Sequence, residues 1–350
     1  MALGILGGVP RRLVGPLVAL VSLLASLVLA EVALAMLGYG HLRPEPQPAG
    51  FWRHDAQLGW RHAAGSDGIF DRSPVFRTRV RINDKGLRGR DYPYERMAGR
   101  RRVLVLGDSF VFGFGVEQEE TFTSVLENLL PATDVLNAGV SGYGTDQELL
   151  WFRGEGVRYR PDLVILLMSG NDELDNHSSI VYSLYPKPRF ELSPRGELVL
   201  TNVPVPPPPR RLRLKTWLMG HSRVAYQASL LLGRARHAGP VSPRADDGLT
   251  LALVEEIRRE ATAHGARFLV AATPKFWSYD DLSAQDAHAA LLRALRERGM
   301  TAIDIDGAEG YELEAMTIKG DGHWNARGHR FVARLLEAAI RRDGLLGPSP

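Results

Sequence analysis

The stretch Arg101-Arg-Val-Leu-Val-Leu-Gly-Asp-Ser-Phe-Val-Phe-Gly113 constrains the fold of this chain more than any other. Residues 103–106 form an apolar run with charge before it and glycine after it, the mark of a strand buried on both faces. Further strand candidates lie at 134–137, 163–168, 268–272 and 302–305. Residues 119–130, 145–155, 249–264, 285–298 and 326–341 carry apolar positions at helical spacing. Strands and helices in alternation predict a parallel sheet with helices on both faces, an α/β fold. Ligands of such sheets gather beyond the carboxyl ends of the strands. Gly107-Asp-Ser-Phe110 stands at one of those ends and offers a hydroxyl on a tight loop.

A second apolar segment precedes this domain. Residues 17–37 are broken only by Ser22, Ser26 and Glu31, and Arg11-Arg12 come before them. The length suits a helix that crosses a hydrocarbon core. Arginines ahead of it favour an amino terminus in the cytoplasm and the remainder outside. Residues 1–40 therefore read as a signal anchor, a single transmembrane helix. A leader cleaved after Ala33-Leu-Ala35 and a buried soluble helix are the other readings. Glu31, in the outer part of the span, is either a carboxylate near the interface or the contact for a membrane partner.

Residues 41–99 have little helical periodicity. The alternation Phe76-Arg-Thr-Arg-Val-Arg-Ile82 predicts a half-exposed strand, and Asn83-Asp-Lys-Gly86 a turn. We read 41–99 as a β-rich lead-in and 100–345 as the main domain. A proline-rich insertion at about 173–247 interrupts it, of a length usual for a lid, a binding element or a disordered segment. Arg210, Arg211, Arg213 and Lys215 within the insertion read as a solvated face in preference to a lipid or polysaccharide site. The 43 basic side chains barely exceed the 40 acidic ones, which gives no argument for nucleic acid. The chain has no cysteine, so disulfides, thiolate metal sites and a cysteine nucleophile are excluded.

Three more stretches fall at the same edge of the predicted sheet as Ser109. They are Asn137-Ala-Gly-Val-Ser-Gly-Tyr-Gly144, Met168-Ser-Gly-Asn-Asp172 and Lys319-Gly-Asp-Gly-His-Trp-Asn325. A nucleophile, backbone donors, a side-chain amide and an Asp/His pair can converge there. In this order, Gly-Asp-Ser-Phe, the glycine of Ser-Gly-Tyr-Gly, Gly-Asn-Asp and the late Asp/His pair resemble the four blocks of the SGNH, or GDSL-type, hydrolases. The resemblance spans 101–342 apart from the insertion. It implies a flavodoxin-like three-layer α/β/α sandwich, serine-dependent ester chemistry, and neither cofactor nor metal. The lead-in and the anchor resemble those of membrane-tethered bacterial members. That implies an inner-membrane protein with its main domain in the periplasm.

Matching to the family assigns the roles, and chemistry explains them. Ser109 needs a base to take its proton, and His323 is that base. Asp321 would hold the imidazole and stabilise its charged form. The N–H groups of Ser109 and Gly142 and the amide of Asn171 would stabilise the oxyanion. Many family members carry the acid three residues before the histidine. Here that position is Gly320, and Asp321 lies two before, a spacing seen in members that resemble polysaccharide O-acetylation enzymes. Asp304 and Asp306 are the fallback carboxylates. Asp108 is expected to stabilise the loop, Gly139 to serve a backbone turn, Asp172 to support Asn171 or its loop, and His329 to lie on a helix surface.

The function expected is an acyl-ester hydrolase that removes O-acyl, especially O-acetyl, groups from an envelope or extracellular glycan. An O-acetyltransferase using the same residues and a non-catalytic envelope scaffold are the alternatives. The anchor reading predicts that a reporter active only outside the cytoplasm, fused after Gly50, is active. Strong signal from a cytoplasm-only reporter at that junction would reverse the topology.

Overall fold

The computed structural model of the chain describes residues 10–40, 47–181, 185–236, 248–273 and 282–347. The elements in order are α1 (Arg11–Met36), β1 (Trp52–Asp55), β2 (Gly59–His62), β3 (Asp67–Arg72), β4 (Phe76–Arg81), β5 (Arg101–Gly107), α2 (Ser109–Phe112), α3 (Phe122–Leu129), β6 (Thr133–Gly139), α4 (Thr145–Gly154), β7 (Leu163–Ser169) and α5 (Asp172–Asn176). Then come β8 (Ile180–Val181), β9 (Tyr185–Pro186), β10 (Arg189–Leu192), β11 (Leu198–Thr201), α6 (Arg210–His221), α7 (Arg223–Arg236), α8 (Gly248–Ala263), β12 (Arg267–Thr273), α9 (Leu282–Glu297), β13 (Thr301–Asp304), α10 (Leu313–Met316) and α11 (Ala326–Arg342). They group into two compact units. One consists of α1, α6 and α7, and the other holds all remaining elements.

In the larger unit, β6, β5, β7, β12 and β13 lie side by side in that order, all parallel. Numbered along the chain this is 2-1-3-4-5, the flavodoxin-like order. Successive strand residues point to opposite faces. Val103, Val105, Ile165, Leu167 and Leu269 meet α3 and α11 through Leu126, Val332 and Leu336. Leu104, Leu106, Val164, Leu166 and Val270 meet α4 and α8 through Leu149, Phe152, Val254 and Ile257. Helices cover both faces, so the centres of β5, β7 and β12 are apolar at successive positions. The sheet's turning point lies between β5 and β7, and their carboxyl ends frame a crevice.

The predicted helix at 119–130 starts later. A 3₁₀ turn at Gln118–Glu120 precedes α3, whose N-cap is Thr121. The insertion is built rather than open-ended. It carries α5, the antiparallel pairs β8–β9 and β10–β11, and then α6 and α7. Its Lys187 is buried and bonds the Asp146 carboxylate and, at 2.8 Å, the Asp175 carbonyl. In the smaller unit, α1 from Arg12 to Met36 is long and apolar enough to cross a membrane.

His329 departs from its expected place on a helix surface. It is 1% exposed, its Nδ1 accepts the Phe122 N–H at 3.1 Å, and its ring stacks on Phe122. It belongs to the stripe His329, Val332, Ala333, Leu336, Ile340 that α11 turns inward. Burial lowers its pKa to about 3. His62, buried in the lead-in, is lowered to about 4 for the same reason. An unfolded histidine takes up its proton near the usual value of about 6.5. Between that value and 3 the unfolded chain binds more protons, so stability falls as pH falls. His329→Gln should therefore flatten the dependence of unfolding free energy on pH by about 1.4 kcal/mol per unit across about pH 4–6. Denaturant titrations of both proteins at a series of pH values measure this, and identical slopes would contradict a neutral buried ring.

Candidate active site

β5 runs straight into α2. Ser109 is the first residue of this short helix rather than part of an open loop, and Asp108 caps it by accepting the Phe110 N–H at 2.9 Å. The helix presses on the end of β6. A Cβ on Gly139 would sit 2.1 Å from the Phe112 nitrogen, so Gly139 serves close backbone approach rather than a turn. Behind the helix lies Arg88, a fully buried side chain of the lead-in. Its Nη1 donates to the carbonyls of Phe112 (2.8 Å) and Gly113 (2.5 Å), and its Nη2 to Val116 (2.6 Å). Burial lowers its pKa to about 10, opposed by Glu117, Glu119 and Glu120, and the group stays cationic at neutral pH.

The approach to α11 brings the second half of the site. Ile318 donates to the carbonyl of His323 at 2.8 Å, and Asp321 to that of Ile318 at 3.0 Å, which closes a tight loop. Gly320 (φ +81°) and Gly322 (φ +97°) take left-handed conformations on either side of Asp321. His323 Nε2 lies 2.8 Å from Ser109 Oγ, and its Nδ1 bonds Asp321 Oδ1. Its ring lies against Phe110 and Phe114, with centroids 5.0 and 4.8 Å away. Ser109, Asp321 and His323 are all buried. Asp304 and Asp306 are engaged elsewhere, by the Gly307 N–H (3.0 Å) and the Thr273 hydroxyl (2.7 Å).

The second oxygen of Asp321 accepts Arg72 Nη1 at 2.6 Å. This arginine ends β3 and lies over the Phe114 and Phe76 rings. Burial raises the Asp321 pKa, but the bond to His323 and the charges of His323 and Arg72 outweigh it and hold the carboxyl below its ordinary range. Sequence reasoning missed Arg72. The alternation at 76–82 revealed β4 but not its partner β3, nor that the hairpin reaches the Asp/His loop.

Gly142 sits in the turn beyond β6 with φ +79°. Asn171 follows β7, its Nδ2 donating to Asp175 Oδ2 at 2.8 Å and its Oδ1 lying 2.6 Å from Ser169 Oγ. Asp172 fixes the loop by accepting the Ser169 N–H at 2.6 Å. Ser169 Oγ is also 2.7 Å from Asp108 Oδ2. One hydroxyl proton cannot serve both acceptors, so the network closes when Asp108 is protonated, the form its burial favours. Burial pushes Asp175 up to about 6 against the Asn171 bond and the Lys187 charge. Burial, reinforced by neighbouring carboxylates, pushes Glu148 and Asp172 well above the usual range. Among the described residues no group of three or more His, Asp or Glu could hold a metal ion.

A hydroxyl aimed at an imidazole whose far nitrogen is held by a carboxylate can be deprotonated as it attacks a carbonyl. The model of the GDSL-like lipase/acylhydrolase family matches residues 105–331, from within β5 to within α11, and so includes Ser109, Asp321 and His323. The chain belongs to the GDSL-like lipase/acylhydrolase family. As a GDSL-type protein it is an ester-bond hydrolase with an ester substrate. An acetyl xylan esterase, AlAXEase, is 14% identical in structure-based alignment, with 68% of this chain and 99% of that one covered and a TM-score of 0.42. A member of the lipolytic protein G-D-S-L family from Veillonella parvula DSM 2008 is 15% identical over 69% and 99% of the two chains, at a TM-score of 0.39. The psychrotrophic esterase EstA from Pseudoalteromonas sp. is 14% identical over 69% and 97%, also at 0.39. No curated protein matches the chain.

Arg72 gives this GDSL-type site a testable signature. Without it the Asp321 carboxylate becomes more basic and binds a protonated imidazole more tightly. In Arg72→Met the acid limb of the kcat/KM profile should move to higher pH by about half a unit to one unit. Rate–pH profiles on a soluble aryl ester measure it, and an unmoved limb would leave Arg72 a packing residue only.

Proposed function

We propose that Ser109, His323 and Asp321 are the catalytic triad, and that the N–H groups of Ser109 and Gly142 with the Asn171 amide are the oxyanion hole. Ser109 Oγ attacks the ester carbonyl as its proton passes to His323 Nε2. Asp321 accepts the Nδ1–H, fixes that tautomer and stabilises the imidazolium. The tetrahedral oxyanion is held by the donors until the C–O bond breaks, and His323 returns the proton to the departing alkoxide. Water then repeats the sequence on the acyl-enzyme and frees Ser109. Asp175 and Ser169 orient the Asn171 amide, and Arg72 orients Asp321.

The observation that carries this reading is the 2.8 Å approach of His323 Nε2 to Ser109 Oγ, with Asp321 on the opposite nitrogen. We further assign residues 1–40 as the inner-membrane anchor, 41–99 as a lead-in that serves the site, and 100–345 as a periplasmic hydrolase domain. Its substrates are then O-acyl, chiefly O-acetyl, esters of an envelope or extracellular glycan. The length of α1 and the Asp-Gly-His spacing support that assignment.

A fluorophosphonate probe should label the wild type and not Ser109→Ala. Asp321→Asn should lose about 10⁴ in turnover of an aryl acetate, the loss for a wrongly held tautomer. Asp304→Asn and Asp306→Asn should retain most activity. Labelling of Ser109→Ala, or a loss below about tenfold in Asp321→Asn, would displace the assignment. Acetate released without glycan marks a hydrolase, whereas acetyl diverted onto an added glycan marks a transferase.

A further inference from the structure

We propose that α6 and α7 form an interfacial hairpin whose exposed apolar stripe and basic end bind the acidic headgroup layer of the bilayer that α1 spans. The inference rests on the anchor reading above and adds a second membrane contact, far along the chain.

Three observations meet here. The first is charge. Residues 210–236 contain seven Lys and Arg and no Asp or Glu. Four of the cations, Arg210, Arg211, Arg213 and Lys215, crowd the start of α6, where the helix dipole disfavours positive charge. None of these four forms an ion pair among the described residues. Acidic lipids would supply their counter-charge.

The second is an apolar face. Leu214, Trp217 and Leu218 are spaced i, i+3, i+4, so they share one stripe, and they are 57%, 56% and 43% exposed. The stripe at Leu212, Thr216 and Met219 is half-buried instead. Trp217 stacks on His221 with centroids 4.7 Å apart, and α7 exposes Leu230, Leu231 and Leu232 in succession. Leucine and tryptophan on one face beside a basic cluster are the composition of a helix that lies in the headgroup region.

The third is position. The Glu31 carboxylate of α1 accepts the Ser222 hydroxyl and the N–H groups of Arg223 (3.0 Å) and Val224 (3.1 Å), and so caps α7. Arg223 Nε and Gln227 Nε2 donate to the carbonyls of Tyr39 (3.1 Å) and Gly40 (3.3 Å), just beyond α1. From Arg12 to Met36 the helix is about 37 Å long, and a hydrocarbon core is about 30 Å thick. Glu31 stands about 7.5 Å before the Met36 end, so the α6–α7 junction is tied just inside the outer edge of that core. Helices leaving that point meet headgroups first. The bilayer is therefore the occupant, and a second copy of the chain is the competing one.

The natural absence of cysteine makes the test direct. Leu24→Cys, Leu218→Cys and Leu231→Cys, each in the full chain, take an environment-sensitive dye and are reconstituted in vesicles with or without phosphatidylglycerol in phosphatidylcholine. With acidic lipid, dyes at 24, 218 and 231 should all resist aqueous iodide, with 24 responding to the deepest lipid-borne quencher and 218 and 231 to shallow ones. Without acidic lipid, or with Arg210, Arg211, Arg213 and Lys215 changed to Gln, protection at 218 should drop several-fold while 24 is unchanged. The Gln variant should retain wild-type turnover of a soluble ester. A dye at 24 in lipid with 218 and 231 in water overturns the hairpin contact and spares the anchor. A dye at 24 in water overturns both. Protection at 218 that is independent of lipid charge and rises with protein density assigns the face to a second copy and overturns the proposal.

Discussion

A buried cation that forms no ion pair among the described residues holds the turn after Ser109 in place. Arg88 gives its donors to three carbonyls of the turn that follows Ser109, and its Nε to Gln118 Oε1 at 3.2 Å. A desolvated charge is tolerated only with its hydrogen bonds made, and here they are made to one stretch of backbone. The turn can take no other path without stranding the guanidinium. Gly139 lets the helix it follows rest directly on β6, and the hydroxyl thereby meets the imidazole brought by the approach to α11. The lead-in is thus part of the site. One of its arginines sits behind the nucleophile and another behind the acid.

The carboxyl groups around the crevice sort by environment. Asp108, Asp172, Asp175 and Glu148 are buried among one another, and burial with mutual repulsion drives them toward their neutral forms. Asp321 is buried too, but it faces one imidazole and one guanidinium and moves the opposite way. Of these buried acids Asp321 is the one held below its ordinary range, at the nitrogen where an acceptor is wanted.

What was legible in the sequence follows from locality. Strands sandwiched between helices carry unbroken apolar runs, so β5, β7 and β12 could be read directly, and β6 and β13 from their places in the strand–helix alternation. Asp321 could be paired with His323 because only Gly322 lies between them. Arg72 could not be, since it stands 249 positions before Asp321 and its strand has no distinctive pattern. His329 was misjudged because a titratable ring on an apolar stripe looks polar until the neighbour that covers it is known. The helices after Pro209 were hidden by the prolines before them. The two readings of Glu31 stayed open because only a folded α7 reveals which donors reach its carboxylate.

The hydrogen-bonded line Arg72, Asp321, His323, Ser109 has a consequence in time. A chain made amino-terminus first presents Arg72 and Ser109 early, and Asp321 and His323 only when nearly all of it has been synthesised. On the triad proposed above, the serine has no base and the arginine no acid until then. Ester hydrolysis would then arise only once synthesis and folding have joined the two halves of the line.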